Sequence, residues 1–270
     1  MNVVSLGFRT DLMLRRLAGA VITERPSYLA VRTPGNPGFW WGNFVLVDRP
    51  FAAGDAGRWA DVFAREFPGA AHLALGVDGI DGDAGDAVEL ARLGLTVEVD
   101  TVLTATRLTP PARPPAGATI RPLAGDADWA EAFELRLAAH GEQDASAEYR
   151  QYVARKLAEE RALCDAGHGA WFGVFVDGRL GASAGLFADG DGDRLGRYQS
   201  VETHPDLRRR GLASALVHRL GDWGRGELGV RTLVIVADPD YHAIRLYRAL
   251  GFTDTEKQVQ LYREPPAAEA

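Results

Sequence analysis

The chain has 270 residues, 46% of them apolar and 25% charged, the make-up of a folded globular protein rather than a disordered one. Its net charge of −7 argues against nucleic-acid binding over the whole surface and leaves local basic runs to be explained. One cysteine, Cys164, excludes an intrachain disulfide and fits a cytoplasmic protein, and no apolar run is long enough to span a membrane, so no membrane partner is expected.

Arg9, Asp11, Arg15 and Arg16 interrupt any signal-peptide pattern early. Leu6, Leu12, Leu14 and Leu17 among those arginines predict a short amphipathic helix within residues 1–19. Tyr28–Arg32 reads as a strand, Thr33–Gly38 as a turn-rich loop, and Phe39–Val47, rich in aromatic and branched residues, as a second strand. Trp59, Val62, Phe63 and Phe67 fall on one helix face. His72–Asp78 reads as a strand, Ala84–Leu93 as a helix closed by Gly94, and Leu95–Leu108 as a further strand. Pro110-Pro111-Ala112-Arg113-Pro114-Pro115 is proline-dense and extended, which puts a linker at residues 110–117 between a first half, 1–109, and a second, 118–270.

In the second half Thr119–Leu123 predicts a strand. A helix carrying Trp129, Phe133 and Leu137 follows, with Asp126 or Asp128 as its cap. A second helix spans Ala147–Leu163, with Tyr149, Tyr152, Val153 and Leu157 toward the core. Trp171–Val176 and Leu180–Leu186 flank Asp177-Gly178, a strong hairpin signal. Asp189–Asp193 has the look of a calcium loop, but Arg194 stands in the turn glycine's place and Ser200 in the bidentate acid's, so a solvated turn is expected. Histidines 140, 168, 204 and 242 are scattered singly as surface or packing residues, and no metal is expected.

Arg197–Thr203 is a strand that feeds His204-Pro205-Asp206-Leu207-Arg208-Arg209-Arg210-Gly211. The helix that follows carries Leu212, Leu216 and Leu220 at helical spacing, with Ala215 and Trp223 on or near that stripe. Gly211 lacks a Cβ and Ala213 has only a methyl, so a ligand could lie against this backbone. Loop amides and a helix start offer unpaired donors, and the three arginines add charge, which together suit a phosphate. Leu233–Asp238 is an apolar run fit for a buried strand, and Tyr241–Phe252 is a short helix ended by Gly251.

Two of these segments resemble a known family. Arg208-x-x-Gly211-x-Ala213 is similar to the R/Q-x-x-G-x-G/A loop of the GNAT superfamily of acyl-CoA-dependent N-acyltransferases. Ala243-x-x-Leu246-Tyr247-x-x-Leu250-Gly251-Phe252 resembles its A-x-x-L-Y-x-x-x-G-F signature in order and spacing. The resemblance covers roughly residues 118–263.

The first half looks like a diverged copy of the second. Val47-Asp48-Arg49-Pro50 parallels Glu202–Pro205, Leu73–Asp78 parallels Leu233–Asp238, and Leu90–Leu95 parallels Tyr247–Phe252. The copy lacks the chemistry: no arginine triplet follows Pro50, Asp55 would repel a phosphate, and Leu90 or Ala91 stands where Tyr247 does. The fold class is therefore α/β (α+β), two GNAT-like mixed-sheet domains in tandem, with the acyl-CoA site in the second.

The resemblance implies acetyl-CoA as cosubstrate, an amine acceptor and direct attack in a ternary complex. It implies a strand ending near Thr203 that splays from Leu233–Ala237, with pantetheine pairing to backbone groups of Val201 and Thr203. Diphosphate would sit on the amides of Arg209, Arg210, Gly211, Leu212, Ala213 and Ser214, with Arg208 in the same loop. A backbone N–H near Val201 would polarise the carbonyl. Tyr247 is the candidate acid for the leaving sulfur, or else a tyrosine packed in its helix face. Glu202 is the candidate base, direct or through water, or else a surface carboxylate. Strand alternation would place Glu202 on the face of Ser200 and Tyr198, opposite Val201 and Thr203.

Two departures from the family stand out. The family often has an acid earlier on this strand, where Leu195-Gly196-Arg197 has none. Asp240, three before Ala243, replaces a frequent asparagine; it can accept a pantetheine hydrogen bond but not donate one while ionised. A CoA-binding protein without catalysis is the alternative. A dinucleotide-binding oxidoreductase lacks its G-x-G-x-x-G, and a P-loop nucleotidase its G-x-x-x-x-G-K. Acidic residues Asp144, Glu148, Asp189 and Asp191 favour a cationic acceptor. A homodimer is left open.

Overall fold

A computed structural model describes residues 1–141 and 145–264. Asp144, one of the expected acidic residues, lies outside the described residues. Compactness divides the chain into two units: Met1–Val102 with Val236–Tyr241 and the C-terminal stretch from Asp254, and Leu103–Ile235 with His242–Thr253.

In the first unit, α1 (Leu6–Leu17) is capped by Ser5, whose side chain accepts from the Phe8 amide. The hairpin β1 (Val21–Arg25) and β2 (Tyr28–Arg32) leads through a loop to β3 (Phe44–Val47), then α2 (Asp55–Glu66), β4 (Leu73–Val77), α3 (Ala87–Arg92) and β5 (Thr96–Ala105), the last three residues of which belong to the second unit. The last strand, β11 (Thr253–Arg263), pairs antiparallel with β4 through Val259↔Val77 to Arg263↔Leu73. The strand order is β1-β2-β3-β4-β11-β5, and β3 and β4 run parallel. Trp59, Val62 and Phe63 of α2 and Phe8 and Leu12 of α1 bury their apolar faces with the sheet residues Val45, Leu46 and Leu75.

Two expectations are corrected here. Phe39–Val47 is not one strand: Trp40–Gly42 forms a 3-10 turn and only Phe44–Val47 is extended. The Asn43 side chain causes this by donating to Asn36 O and Phe39 O and accepting from the Thr33 amide, which closes the loop on itself. Phe67 ends α2 as its cap rather than lying within it.

The second unit opens with β6 (Ala118–Pro122), α4 (Gly125–His140) and α5 (Ala147–Asp165). Neither Asp126 nor Asp128 is the cap of α4; Ala124 holds that position, and Asp128 reaches back from the first turn to accept the Ala124 amide at 2.6 Å. Strands β7 (Gly169–Val176) and β8 (Arg179–Phe187) are joined by Asp177 and Gly178, both left-handed, with φ of 51° and 80°. Then come β9 (Leu195–Thr203), α6 (Leu212–Glu227), β10 (Thr232–Ala237) and α7 (Ala243–Ala249), and the strand order is β10-β9-β8-β7-β6.

Helices cover both faces of the sheet in this unit. Trp171 meets Trp129 of α4 at 6.2 Å, while its neighbour Phe172 meets Trp223 of α6 at 5.6 Å. Successive strand residues point oppositely, so α4 lies on one face and α6 on the other. The stretch before β6 lies along α6: Leu108 packs beside Gly221, and a Cβ on Gly211 would stand 2.9 Å from the Arg113 carbonyl oxygen.

Candidate functional site

The parallel pairing of β9 with β10 runs from Leu195↔Thr232 to Arg197↔Val234 and stops there. Among the described residues, the β9 edge from Tyr198 to Thr203 has no strand partner on that side. The other edge of β9 remains paired with β8, but with one irregularity: Gly185 faces Gln199 and Ser183 faces Glu202, so Ser200 and Val201 together oppose Ala184. Ser200 takes up the extra residue in a left-handed conformation, φ 43°. This β-bulge costs a non-glycine residue about 1 kcal/mol and is a device that re-aims side chains.

The bulge overturns the expected alternation. Tyr198 pairs with Leu186, which packs on Gly224 of α6, and the Tyr198 hydroxyl donates to Val217 O of α6 at 2.7 Å. Glu202 pairs with Ser183 and meets Arg136 of α4. Tyr198 and Glu202 therefore face opposite sides of the sheet, although they are four residues apart.

Beyond Thr203 the chain turns through a 3-10 segment, Pro205–Leu207. The His204 amide donates to Gly181 O, which pins the loop to β8. Arg209 is left-handed, φ 62°, and so is Gly211, φ 77°, which caps α6. Among the described residues, the amides of Arg209, Arg210, Gly211, Leu212, Ala213 and Ser214 donate to no protein acceptor; the first return bond of the helix is Ala215 N to Gly211 O at 3.1 Å. Arg208, Arg209 and Arg210 are exposed. Arg208 is the one of these turned back to the protein, with Nη2 donating to Ala139 O at 2.8 Å at the end of α4. The result is a ring of unpaired main-chain donors at a helix start, exposed at Arg209 and Arg210 and half-buried or buried beyond them, a ready anion seat.

Ala243 opens α7 and Tyr247 lies in its buried face, with its ring edge-on to Phe252 at 6.2 Å. Burial, then Asp222 and Tyr247, push the Tyr198 hydroxyl well above its ordinary pKa. Asp240 is exposed, its amide donating to Asp238 Oδ1, in the Val236–Tyr241 stretch that groups with the first unit.

On the α4 face sits a buried charge network that sequence reading did not find. Arg136 Nε donates to Glu202 Oε1 at 2.9 Å and Nη1 to Glu160 Oε2 at 3.0 Å; all three residues are buried. Burial opposes the charge of Arg136, but the two carboxylates outweigh it and raise its pKa above the ordinary arginine value. His140 Nε2 stands 3.5 Å from Glu202 Oε1. Glu202 Oε2 and Ser183 Oγ, on paired residues, have no protein partner. Arg136 lies between Leu135 and Leu137, four residues after buried Ala132 and four before His140, so a charge on the buried stripe was the available signal. A cleft of about 580 Å³ opens on α4 between Glu131, Glu134, Leu135 and Ala138, the start of β8 and His204.

The first unit repeats the same parts with the seat closed. Its parallel strands stay paired to their ends, Val47↔Val77, and the Asp78 amide still donates to Val47 O. Gly54 caps α2 as Gly211 caps α6, in the same left-handed conformation. Here, however, Asp55 Oδ2 accepts the Ala52 amide and Glu89 Oε2 the Ala56 amide, each at 2.9 Å. Carboxylates of the chain itself fill the anion seat. The helix ends match as well: Leu95 N donates to Leu90 O as Phe252 N donates to Tyr247 O, which aligns Leu90 with Tyr247. The first half is a degenerate copy of the second.

Comparison with known proteins agrees with this geometry. Residues 129–252 match the model of the acetyltransferase (GNAT) family. No curated protein sequence matches the chain. Among solved structures, a GCN5-related N-acetyltransferase from Kribbella flavida superposes with a TM-score of 0.67 at 19% identity, covering 98% of this chain and 97% of that one. A functionally unknown protein from Staphylococcus epidermidis gives a TM-score of 0.68 at 13% identity over 90% of this chain and 93% of its own. A tandem GNAT protein from the clavulanic acid biosynthesis pathway gives 0.57 at 17% identity, over 90% and 79%. Residues 129–252 thus carry a domain that matches the acetyltransferase (GNAT) family, and the fold of the whole chain is like those of GCN5-related and tandem GNAT structures.

Proposed function

We propose that the chain is an acetyl-CoA-dependent N-acetyltransferase that moves an acetyl group to a primary amine of a small molecule or protein, by direct attack in a ternary complex. The observation that carries this is the run of amides from Arg209 to Ser214 with no protein acceptor, entered through exposed Arg209 and Arg210. They fit the diphosphate of the cosubstrate, with the guanidinium groups of Arg208, Arg209 and Arg210 at its rim. The free β9 edge at Val201 and Thr203 supplies backbone groups for the pantetheine amides, and a Val201 N–H in the bulge would polarise the thioester carbonyl. Ala243 would border the same arm. Tyr247 would return a proton to the leaving sulfur, and Glu202, directly or through water, would take one from the amine. Residues 118–270 would form the acyl-transfer half and 1–109 its structural partner, joined by 110–117. Glu131 and Glu134 along the α4 cleft, and exposed Glu148, support a cationic acceptor.

Thermal unfolding with and without acetyl-CoA tests the site. Acetyl-CoA should raise the Tm, and the double substitution Arg210→Glu, Gly211→Asp should abolish the rise. No rise at saturating acetyl-CoA counts against the whole reading. One observation favours a second reading, CoA binding without transfer: Glu202 is already committed to Arg136. Release of CoA thiol by an amine, falling in Tyr247→Phe, would reject it.

A further inference from the structure

We propose that His140 is the group that takes the proton from the incoming amine, with Glu202 as its positioning residue; this rests on the acetyltransferase reading above. Glu202 is poorly placed to do so alone. It is buried, and its Oε1 already accepts from Arg136 Nε at 2.9 Å. The imidazole of His140 stands 3.5 Å from that same oxygen, and 57% of its side chain is exposed. The pair therefore runs from a fixed buried charge to a solvent-facing base.

Three features bring His140 to the place where an amine would meet the thioester. The bulge at Ser200 turns Glu202 to the α4 face, opposite to the face where α6 lies. Arg136 and His140 are one helical turn apart, so the helix presents both to that carboxylate. Arg208, at the start of the donor ring, anchors on Ala139 O, which ties the end of α4 to the phosphate loop. The charged group beside the imidazole is Glu202 from β9, which also holds Arg136 of α4, while Arg208 from the loop reaches the neighbouring Ala139 carbonyl. An Nε2–H facing Glu202 leaves the Nδ1 lone pair outward as the accepting atom.

The step balances. An alkylammonium gives one proton to His140 Nδ1, which passes it to water. The free amine nitrogen bonds the acetyl carbon, the C–S bond breaks, and the second nitrogen proton leaves with the thiolate as CoA thiol.

The experiment uses the full chain with acetyl-CoA and ethylamine, lysine and phenethylamine as acceptors, read as thiol release. His140→Gln should lower kcat about a hundredfold while the acetyl-CoA thermal shift stays as in the wild type. His140→Gly should regain turnover on addition of imidazole. Glu202→Gln should lower kcat in the wild type but add nothing in the His140→Gln background, because it acts through the missing ring. A His140→Gln protein that turns over at the wild-type rate overturns the proposal and leaves the acetyltransferase reading standing. So does a Glu202→Gln loss that is undiminished in the double variant. A wild type that binds acetyl-CoA yet releases thiol with none of these amines overturns both.

Discussion

Gly54 and Gly211 occupy the same position in two copies of one turn, each left-handed ahead of a helix, with φ of 87° and 77°. What differs is the fate of the amides beside them. A carboxylate of the chain takes the Ala56 amide in one copy, while the amides from Gly211 to Ser214 stay open in the other. An alanine at either position is strained by about 1–2 kcal/mol, but at Gly211 its Cβ would also stand 2.9 Å from the Arg113 carbonyl. Gly211→Ala should therefore weaken acetyl-CoA binding tenfold or more, about 1.4 kcal/mol, whereas Gly54→Ala should lower the Tm and leave the ligand-induced rise intact. Scanning fluorimetry of both variants decides; equal ligand shifts would remove the distinction between the two turns.

Tyr247 isolates the hydroxyl from the ring. Its ring packs edge-on against Phe252 and is buried, so Tyr247→Phe keeps the packing. The expected result is an unchanged Tm and acetyl-CoA shift with kcat lowered about tenfold to a hundredfold. A kcat equal to the wild type would make Tyr247 a packing residue.

The parts legible in the sequence are those whose signal is local. Asp177-Gly178 announces a hairpin because both residues tolerate positive φ, and the loop from Arg208 to Gly211 declares itself by charge and a missing Cβ. The parts that escaped depend on partners far along the chain. Ser200 is left-handed with no glycine or asparagine to mark it, and that one residue moves Glu202 to the other face. Strand β11 carries little local signal: of its 11 residues only Gln258, Val259 and Leu261 are buried, and its pairing with β4 spans most of the chain. Arg136 reads as an ordinary helix charge until Glu160 and Glu202 close on it.

That network predicts a large mutational cost. Arg136→Met would leave Glu160 and Glu202 buried without a shared cation and should destabilise the protein by about 3–5 kcal/mol. Arg136→Lys should recover only part, since one ammonium cannot serve two carboxylates in the fork geometry of a guanidinium. Urea unfolding measures both. A loss below about 1 kcal/mol for Arg136→Met, within the range of surface ion pairs, would show that the three groups are not interdependent.

His72 gives the first unit a pH dependence. Its ring is stacked on Trp40 at 5.8 Å and edge-on to Phe63 at 5.4 Å, and Nε2 lies 3.0 Å from Asn43 O. Burial lowers its pKa below the ordinary 6.5, partly offset by that carbonyl. The unfolded chain thus binds a proton that the folded one refuses. The stability it contributes is complete above pH 6.5 and is lost as pH falls from there through the lower folded value. Tm measured across that range should fall more steeply in the wild type than in His72→Phe; parallel curves would show that the ring is free to protonate when folded.

Cys164 supplies a check on every thiol-release measurement above. Burial, reinforced by Glu160 and Asp165 and opposed by a hydrogen bond with the Trp171 backbone, pushes its thiol up to about 12. At pH 8 a thiol of that kind is roughly one part in ten thousand thiolate, and the thiolate is the reactive form. The folded protein should therefore react with a disulfide reagent very slowly, and one equivalent should appear promptly in denaturant, since the chain has 1 cysteine. Rapid labelling of the native protein by one equivalent would mean that the end of α5 opens readily, and with it the wall that encloses Glu160 and Arg136.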